Sequence, residues 1–350
     1  MLAGAAVCAS PIAHADAAPA ISRKRGTARV DVRRHGARGD GRVDDTRAIQ
    51  AAIDALPDAG GTVLVPSGLY LINPLSSVRL RDRMHLQLAD DAWLIAMPNA
   101  APRAYVLSLH DAEDVEISGG HILGERERHR GTTGEWGHGI MVRGSRRITV
   151  RDMHISKCWG DGMSVGGISD ARKPSQDVVI SDLVCVGNRR QGLTIGRSQR
   201  VRVQRSQFLD TGGTLPGCGI DVEPDPGGLA EDILITDCLA RGNHGAGIQL
   251  YLRSRKVTVR QCRLLANRGD GIRVDGAHDC VIEGNEIHDN GLRGVSVRGR
   301  SVGLRVSRNR FTGNARAAAR RAGGEKGWLH VDVAKTASAV KVDRSNQLGP

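Results

Sequence analysis

Aromatic side chains are scarce in this chain: Phe, Trp and Tyr together make up 3% of its 350 residues. The core must therefore be filled by branched aliphatic side chains, which suits a stack of short strands. After residue 15 no apolar run approaches the length of a membrane span. C-x-x-C pairs are absent as well, which disfavours a zinc site and leaves buried thiols or inter-segment disulfides as alternatives for Cys158, Cys185, Cys218, Cys238, Cys262 and Cys280.

The charge balance is strongly basic. Lys and Arg number 50 against 38 Asp and Glu, which gives a net charge of +12 and a pI near 9.9. Acidic residues are interspersed throughout, and no helical nucleic-acid-binding module or stacking-aromatic motif is present, so nucleic acid is the weakest candidate partner. An acidic polysaccharide, or simple bias in an Ala/Arg/Gly-rich sequence, accounts better for the excess.

The first residues are typical of an export signal. Leu2 to Ala15 is an apolar run of small residues that ends in the A-x-A pattern Ala13-His14-Ala15, although the basic start of a signal peptide is missing. We expect residues 1–15 to be a signal peptide truncated at its start and residues 16–29 to be a flexible basic arm. The protein is then secreted or periplasmic.

A Gly-led strand pattern repeats down the chain. Seven segments start with Gly followed by an alternating apolar pair, at Gly139, Gly162, Gly192, Gly219, Gly247, Gly271 and Gly294. Successive glycines are separated by 23, 30, 27, 28, 24 and 23 residues, a quasi-regular period that indicates a solenoid. A second strand follows each segment. Equivalent turns then predict a ladder of stacked amides at Asn188, Asn243, Asn267, Asn290 and Asn314.

The stretch from Val30 to Tyr70 predicts a strand, a Gly-rich turn and a short helix. One apolar helix face carries Ile49, Ala52, Ile53 and Leu56, and Asp45 or Thr46 is placed to cap the first amides. Four blocks of this stretch resemble the N-terminal signature of the pectate-lyase-like superfamily, which includes rhamnogalacturonases, polygalacturonases, epimerases and phage tailspikes. The blocks are Gly36-Ala37-Arg38-Gly39-Asp40-Gly41, Asp44-Asp45-Thr46, Ala48-Ile49-Gln50-Ala51-Ala52-Ile53 and Gly60-Gly61-Thr62-Val63-Leu64-Val65-Pro66-Ser67-Gly68-Leu69-Tyr70.

This resemblance implies an all-β chain: a right-handed parallel β-helix with an N-terminal capping helix, spanning residues 30–350. Residues 30–70 form the cap and first strands in this interpretation. The regular coils occupy 139–314, and 315–350 form a C-terminal cap with a β-like run from Trp328 to Val333. The same resemblance implies action on a polysaccharide.

In each Gly-led strand the apolar pair points inward, while the residues between and after it point outward. The outward positions form one strip: Met141/Arg143, Ser164/Gly166, Thr194/Gly196, Asp221/Glu223, Gln249/Tyr251, Arg273/Asp275 and Ser296/Arg298. Asp221 and Glu223 should lie about 7 Å apart, which suits the acid and base of an inverting glycoside hydrolase. We predict this acid/base pair as catalytic, with Asp161 and Asp275 as supporting carboxylates.

Several more residues are candidates for holding the substrate. Arg143, Arg273 and Arg298 carry planar guanidinium groups that suit sugar carboxylates. The polar loop from Gly124 to Gly137 interrupts the repeat and is expected to line a groove. Further expected contacts are Gln249, His138, Gln191, Trp136 and Trp159.

Within the superfamily, the segments around Gly192-Leu193-Thr194-Ile195-Gly196 and Trp159-Gly160-Asp161-Gly162 resemble two polygalacturonase strands. Only Asp161 carries over from that family's catalytic triad, because Gln191 stands where the family has His and Gly162 replaces the second Asp. The Asp-Pro-His-Glu motif of mannuronan epimerases is absent.

We therefore expect an enzyme, a glycoside hydrolase or polysaccharide lyase, that cleaves an acidic, uronic-acid-containing polysaccharide without a cofactor. A lyase would use Tyr251 or an arginine such as Arg273 as base, and calcium on Asp221, Glu223 and Asp225 is then an option. The sequence is also compatible with a uronate epimerase and with a non-catalytic, tailspike- or adhesin-like glycan-binding β-helix. It leaves the linkage and the oligomeric state open.

Overall fold

The computed structural model of the chain describes residues 24–316 and 330–349. The expected signal peptide, residues 16–23 of the basic arm, and Trp328 with Leu329 lie outside the described residues. The arm also ends sooner than predicted, because Ala28 and Arg29 already pair with the strand at Gly61. Over the described ranges, no helix is long and apolar enough to cross a membrane.

The strands stack into three parallel sheets, and each regular coil adds one strand to every sheet. Sheet 1 contains Val78–Leu80, Arg103–His110, Trp136–Arg143, Met163–Gly166, Leu193–Ile195, Ile220–Val222, Ile248–Leu250, Ile272–Asp275, Val295–Arg298 and Val331–Val333. Sheet 2 contains Ala28–Asp31, Gly61–Val65, Met84–Leu88, Glu113–Ser118, Ser198–Gln204, Ala230–Thr236, Ser254–Arg260, Val281–Glu283, Arg305–Ser307 and Lys341–Val342. Sheet 3 contains Asp40–Asp44, Gly68–Ile72, Ala92–Ala96, His121–Leu123, Gln207–Leu209, Leu239–Arg241, Arg263–Leu265, Glu286–His288, Arg310–Thr312 and Gln347–Leu348. Two long strands, Arg146–Ser156 and Ser175–Val186, run through both sheets 2 and 3.

The core is a stack of aliphatic side chains inside this coil. Ile140, Met163, Leu193, Ile220 and Ile248 follow one another in parallel register and have no exposed surface. The alternation of inward and outward residues predicted for the Gly-led strands is therefore observed. The right-handed parallel β-helix predicted from the repeat and the resemblance is confirmed.

An N-terminal helix, Thr46–Asp54, closes the first coil, and short 3-10 turns lie at Val32–His35 and Arg126–Arg128. The helix buries the predicted apolar face, Ile49, Ala52, Ile53 and Leu56. The predicted cap is wrong: Asp44 accepts the hydrogen bond from the Thr46 amide at 2.9 Å. Asp45 instead accepts hydrogen bonds from the amides of Arg38 and Gly39, at 2.7 and 2.9 Å. These two bonds hold the Gly-rich turn closed.

Stacked asparagines line one corner of the coil. Side-chain amides donate to the next Asn oxygen at 2.8–2.9 Å along Asn243, Asn267, Asn290 and Asn314. Asn188 is not part of this ladder, contrary to the prediction, because Thr211 occupies the intervening coil and donates its amide to Asn243. A second ladder that the sequence analysis did not identify runs along Asn285, Asn309 and Asn346.

Acidic and basic residues alternate at the bend that enters sheet 2. Asp114, Arg147, Asp177, Arg200 and Asp232 occupy this bend with φ between 54° and 60°. Arg147 forms paired hydrogen bonds to Asp114, and Arg200 does the same to Asp177. Part of the arginine content is therefore structural and says nothing about a ligand.

Candidate functional site

The outward residues of sheet 1 stack in the predicted order. Register partners follow one another along Met141, Ser164, Thr194, Asp221, Gln249 and Arg273. A cleft of about 340 Å³ lies over the first half of this column. Its charged and aromatic lining consists of Arg103, Tyr105, Glu135, Trp136, His138, Arg143, Asp161, Arg190, Glu223, Asp225 and Arg253. The loop from Gly124 to Gly137 supplies two of these residues, so it lines a groove as predicted.

Arg190 connects the carboxylates of the cleft. Its Nη1 lies 3.4 Å from both oxygens of Asp161, and its Nη2 donates to Glu223 at 3.1 Å. Its Nε lies 3.6 Å from Glu135. Burial alone would lower the pKa of Arg190, but the charges of Asp161, Glu223 and Glu135 outweigh burial and raise it. The guanidinium is thus permanently charged.

The two best-placed carboxylates differ in access to solvent. The side chain of Glu223 is 31% exposed, whereas that of Asp161 is 1% exposed. Both lie within 3.5 Å of one guanidinium, so their carboxyl groups are separated by less than roughly 9 Å, which is below the upper limit for a pair of glycosidase carboxylates. We call Asp161, Arg190 and Glu223 the carboxylate cluster.

A stacked pair of rings lines the cleft next to Asp161. Tyr105 and His138 are register neighbours whose ring centroids are 5.6 Å apart at an interplanar angle of 9°. The Asp161 amide donates to His138 Nδ1 at 2.9 Å, so the neutral ring carries its proton on Nε2. Burial lowers the pKa of His138 and outweighs the opposing charge of Asp161, while burial raises the pKa of Tyr105. At neutral pH both rings are uncharged proton donors.

His138 links the stacked pair to the carboxylate cluster, because its Nδ1 lies 3.5 Å from an Asp161 carboxylate oxygen. Tyr105 lies farther away, since four register steps separate it from the strand that carries Glu223. At about 4.8 Å per step, Tyr105 and that strand are roughly 19 Å apart. The cleft therefore carries one continuous row of polar side chains from Tyr105 to Glu223.

Asp221 lies in the predicted strip but not in the cleft. It is 0% exposed, and its two oxygens accept hydrogen bonds from Gln191 at 2.7 Å and Gln249 at 3.1 Å. Burial, followed by the neighbouring Glu223 charge, raises the pKa of Asp221 well above its usual range. The expectation that Asp221 is an exposed partner of Glu223 is wrong, because Gln191 and Gln249 cover it. These glutamines hold Asp221, so the structure does not place them as substrate contacts.

The far half of the predicted strip carries internal ion pairs. Arg273 donates to Asp275 at 2.8 Å, and Arg298 donates to Asp332 at 2.7 Å. Tyr251 and these four residues do not line the cleft. The interpretation of Arg273 and Arg298 as substrate-binding residues and of Asp275 as a supporting carboxylate is therefore not supported by their positions.

The two candidate tryptophans have different surroundings. Trp136 is 41% exposed in the cleft, with the Arg103 guanidinium 5.2 Å from its ring centroid. Trp159 stacks on His129 at 3.8 Å, and the Arg189 guanidinium also lies 3.8 Å from it. The expected substrate contact by Trp159 is wrong, because its ring packs between these two side chains.

Calcium at Asp221, Glu223 and Asp225 does not fit the structure. Within residues 24–316 and 330–349, no three His, Cys, Asp or Glu side chains are grouped so that they could hold a metal ion. The oxygens of Asp221 accept from two amides and Glu223 pairs with Arg190, so the three side chains do not form a set of ligands.

Sequence reasoning missed Arg103, Tyr105, Glu135, Arg190 and Arg253. Tyr105 precedes the Leu107/Leu109 inward pair of a strand that has no leading Gly, so the search for Gly-led segments passed over it. Extending the strip by one strand would have given Ser108 and His110, because Tyr105 is the register partner of His138, which lies before the strip positions of its own strand. Arg190 lies in a turn before its strand, where strand alternation does not predict which way a side chain points.

Family models match most of the chain. The model for the right handed beta helix region matches residues 103–225 and 216–327. A second model, rhamnogalacturonase A/epimerase, pectate lyase-like, matches residues 29–87. Together they cover the coils and the N-terminal cap described above.

Two curated proteins illustrate the sequence relatives. The uncharacterized protein YclG of Bacillus subtilis is 25% identical over 320 residues, which cover 79% of this chain and 52% of that protein. Mannuronan C5-epimerase AlgE2 of Azotobacter vinelandii is 26% identical over 293 residues, which cover 77% of this chain and 25% of the epimerase. The chain therefore spans about half the length of the first relative and a quarter of the second.

Solved structures share the fold. The A-module of mannuronan C-5 epimerase AlgE4 from Azotobacter vinelandii has a TM-score of 0.65 and 18% identity, covering 91% of this chain and 97% of that module. The hyperthermoactive exopolygalacturonase of Thermotoga maritima has a TM-score of 0.63 and 14% identity, covering 93% of both chains. Tailspike gp49 of the Acinetobacter baumannii bacteriophage Fri1, a capsular polysaccharide depolymerase, has a TM-score of 0.65 and 13% identity, covering 91% of this chain and 58% of the tailspike. At these identities the likeness shows the fold alone.

Proposed function

Since this chain belongs to the right-handed β-helix family, we propose that it is an enzyme that binds an acidic polysaccharide in the cleft and hydrolyses its glycosidic bonds. One observation carries the proposal: Asp161 and Glu223 flank one guanidinium in the cleft, close enough together to act on one glycosidic bond as acid and base. The exopolygalacturonase and capsular depolymerase with this fold act on polysaccharides, which supports the substrate class.

The basic wall of the cleft favours a substrate that contains uronic acids. Arg103, Arg143 and Arg253 line it. Arg143 donates its Nε to the Gly167 carbonyl at 3.3 Å, which leaves the remaining guanidinium donors for a sugar carboxylate. Exposed Trp136 offers a flat apolar face to a sugar ring. An acidic chain is therefore a better substrate for this cleft than a neutral one.

The roles of the two carboxylates follow from their burial. We assign the buried carboxyl, Asp161, as the general acid, and Glu223, which solvent reaches, as the general base. Asp161 then gives its proton to the glycosidic oxygen as the C1–O bond breaks. Exposed Glu223 takes a proton from the water whose oxygen attacks C1. Exchange with solvent returns both groups to their starting states.

Product analysis tests this proposal. We expect new reducing ends without an unsaturated-uronate absorbance when the protein is incubated with a panel of acidic polysaccharides. Glu223→Gln should lower the rate by about 100-fold or more, the usual contribution of a general base. The matched control is Asp275→Asn, which changes a carboxylate on the same sheet outside the cleft. Equal rates for Glu223→Gln and wild type would overturn the assignment.

A second candidate is proton chemistry at C5 of a uronate, by elimination or epimerisation. It is favoured by the stacked pair, because Tyr105 and His138 are proton donors with Arg103 lining the cleft beside them. Mannuronan epimerases among the relatives add support. Tyr105→Phe separates the candidates, because Tyr105 is roughly 19 Å from the strand that carries Glu223. Loss of an unsaturated product, or of deuterium uptake from heavy water, in this variant alone would favour the second candidate.

A further inference from the structure

The six cysteines within residues 24–316 and 330–349 are buried free thiols in this structure, and two of them occupy equivalent positions in successive coils. Cys238 precedes the sheet 3 strand Leu239–Arg241, and Cys262 precedes the next strand, Arg263–Leu265. Leu239 and Arg263 are register partners, and the Arg263 amide donates to the Cys238 carbonyl at 2.8 Å. The two cysteines are thus consecutive members of one corner column, which continues into the ladder of Asn285 and Asn309.

The side chains of this pair lie in the same orientation. Cys238 Sγ lies 3.2 Å from the Thr236 carbonyl, and Cys262 Sγ lies 3.2 Å from the Arg260 carbonyl. Both residues are at most 3% exposed. Burial, followed by contact with the Cys238 thiol, raises the pKa of Cys262 well above its usual range. The two thiols are therefore neighbours inside the corner.

The spacing of neighbouring coils suits a covalent link. Residues in consecutive coils are about 4.8 Å apart, within the Cα separation of roughly 4.4–6.8 Å that a disulfide spans. We propose that Cys238 and Cys262 form a disulfide that joins the coil carrying Asp221 and Glu223 to the coil carrying Gln249. The link connects the carboxylate cluster to the coil beyond it.

The remaining cysteines lack this arrangement. Cys185 has Ile155 and Phe208 as its register partners. The Cys158 amide donates to Asn188 of the next coil, so its neighbour in the column is not a cysteine. Cys158 and Cys185 are close enough to influence each other, but they occupy different columns. A Cys158–Cys185 bridge is therefore the competing outcome.

The bond requires an external disulfide donor and forms while the chain folds, since both thiols are buried afterwards. One cysteine thiolate attacks the donor disulfide and releases one donor thiol. The second cysteine then attacks the mixed disulfide and releases the second donor thiol. Two protons and two electrons leave the protein, and one donor disulfide becomes two thiols. Oxidised glutathione is a sufficient donor.

Refolding of the full chain with oxidised glutathione, compared with refolding under reductant, tests the proposal. We expect an intact mass lower by two hydrogen atoms. In a non-reduced digest with trypsin and a protease that cuts after Glu231, the peptide containing Cys238 should be joined to that containing Cys262, with Cys218 on a separate peptide. The oxidised protein should melt several degrees higher than the reduced protein. Cys280→Ser should retain the mass change, whereas Cys238→Ser should lose it.

The wild-type peptide map decides the matter even if Cys238→Ser folds poorly. Unmodified thiols at both Cys238 and Cys262 after oxidative refolding would overturn the proposal. A link between Cys158 and Cys185 in place of this one would overturn it as well.

Discussion

The two halves of the outward strip on sheet 1 use similar side chains for different ends. In the first half Arg190 holds Asp161 and Glu223 beneath an open cleft. In the second half Arg273 and Arg298 are matched with Asp275 and Asp332. The halves differ because the loop from Gly124 to Gly137 rises only over the first. Charged residues on a β-helix face thus form a ligand site where a loop encloses them, and ion pairs elsewhere.

The largest difference between the two halves is expected in the loss of stability when an arginine is removed from each. Arg190→Gln leaves buried Asp161 without its cation, and we expect a loss of about 3–5 kcal/mol in the free energy of unfolding. Arg273→Gln breaks a pair whose side chains are 44% and 21% exposed, which is worth at most about 1 kcal/mol. Urea unfolding of both variants measures this contrast. Equal losses would mean that Arg190 is an ordinary surface residue.

The next largest difference is expected in catalysis, between Arg143 in the first half and Arg298 in the second. Arg143→Ala removes a charged hydrogen-bond donor from the cleft wall, and we expect kcat/KM on an acidic polysaccharide to fall by about tenfold or more. Arg298→Ala in the second half should leave kcat/KM unchanged. Steady-state rates on one polysaccharide measure both variants. A larger fall in kcat/KM for Arg298→Ala than for Arg143→Ala would mean that the substrate binds over the second half of the strip.

Asp221 gives the smallest expected effect, on stability. Its carboxyl ionises near pH 4 in the unfolded chain, but burial raises its pKa in the folded protein. The folded state therefore retains a proton that the unfolded state releases, and stability falls as pH rises above about 4. Asp221→Asn has no carboxyl group at this position to ionise, so its stability does not fall in this way. Its free energy of unfolding should match that of wild type near pH 4 and exceed it by about 1 kcal/mol at neutral pH.

The Asn side chain can keep both hydrogen bonds of Asp221. Gln191 accepts from the Cys218 amide at 2.8 Å, so its NH₂ group is fixed toward position 221. A rotated Gln249 amide would accept from the new NH₂ group. Unfolding at two pH values, with Asp275→Asn as control, measures the difference. An Asn variant less stable than wild type at neutral pH would show that Asp221 is needed as a charge.

Strand alternation explains how much of this site could be predicted. It placed Asp221 in an outward column with Thr194 and Gln249, and the register confirms that placement. It could also have predicted the Arg273–Asp275 pair, since the two residues are outward and two apart. It could not predict that Gln191 would bury Asp221, because Gln191 lies in a turn whose direction depends on the neighbouring coils.

The surroundings of Trp159 and Arg190 depend on long-range packing. Trp159 has the residue type of a sugar-binding platform, but His129 of the loop, 30 positions earlier in the chain, stacks on it. Arg190 reaches residues 29 and 33 positions away, Asp161 and Glu223, and no local pattern encodes these contacts. The fold was predictable because the same local sequence pattern recurs in successive coils. The site depends on contacts that occur once.

A crystal structure of Glu223→Gln with a bound uronate oligosaccharide is the most direct measurement. We expect one sugar between Asp161 and position 223, a sugar carboxylate on Arg143 or Arg253, and a ring against Trp136. Sugar bound over Arg273 and Arg298, with the cleft empty, would contradict the assignment of the first half of sheet 1 as the functional site.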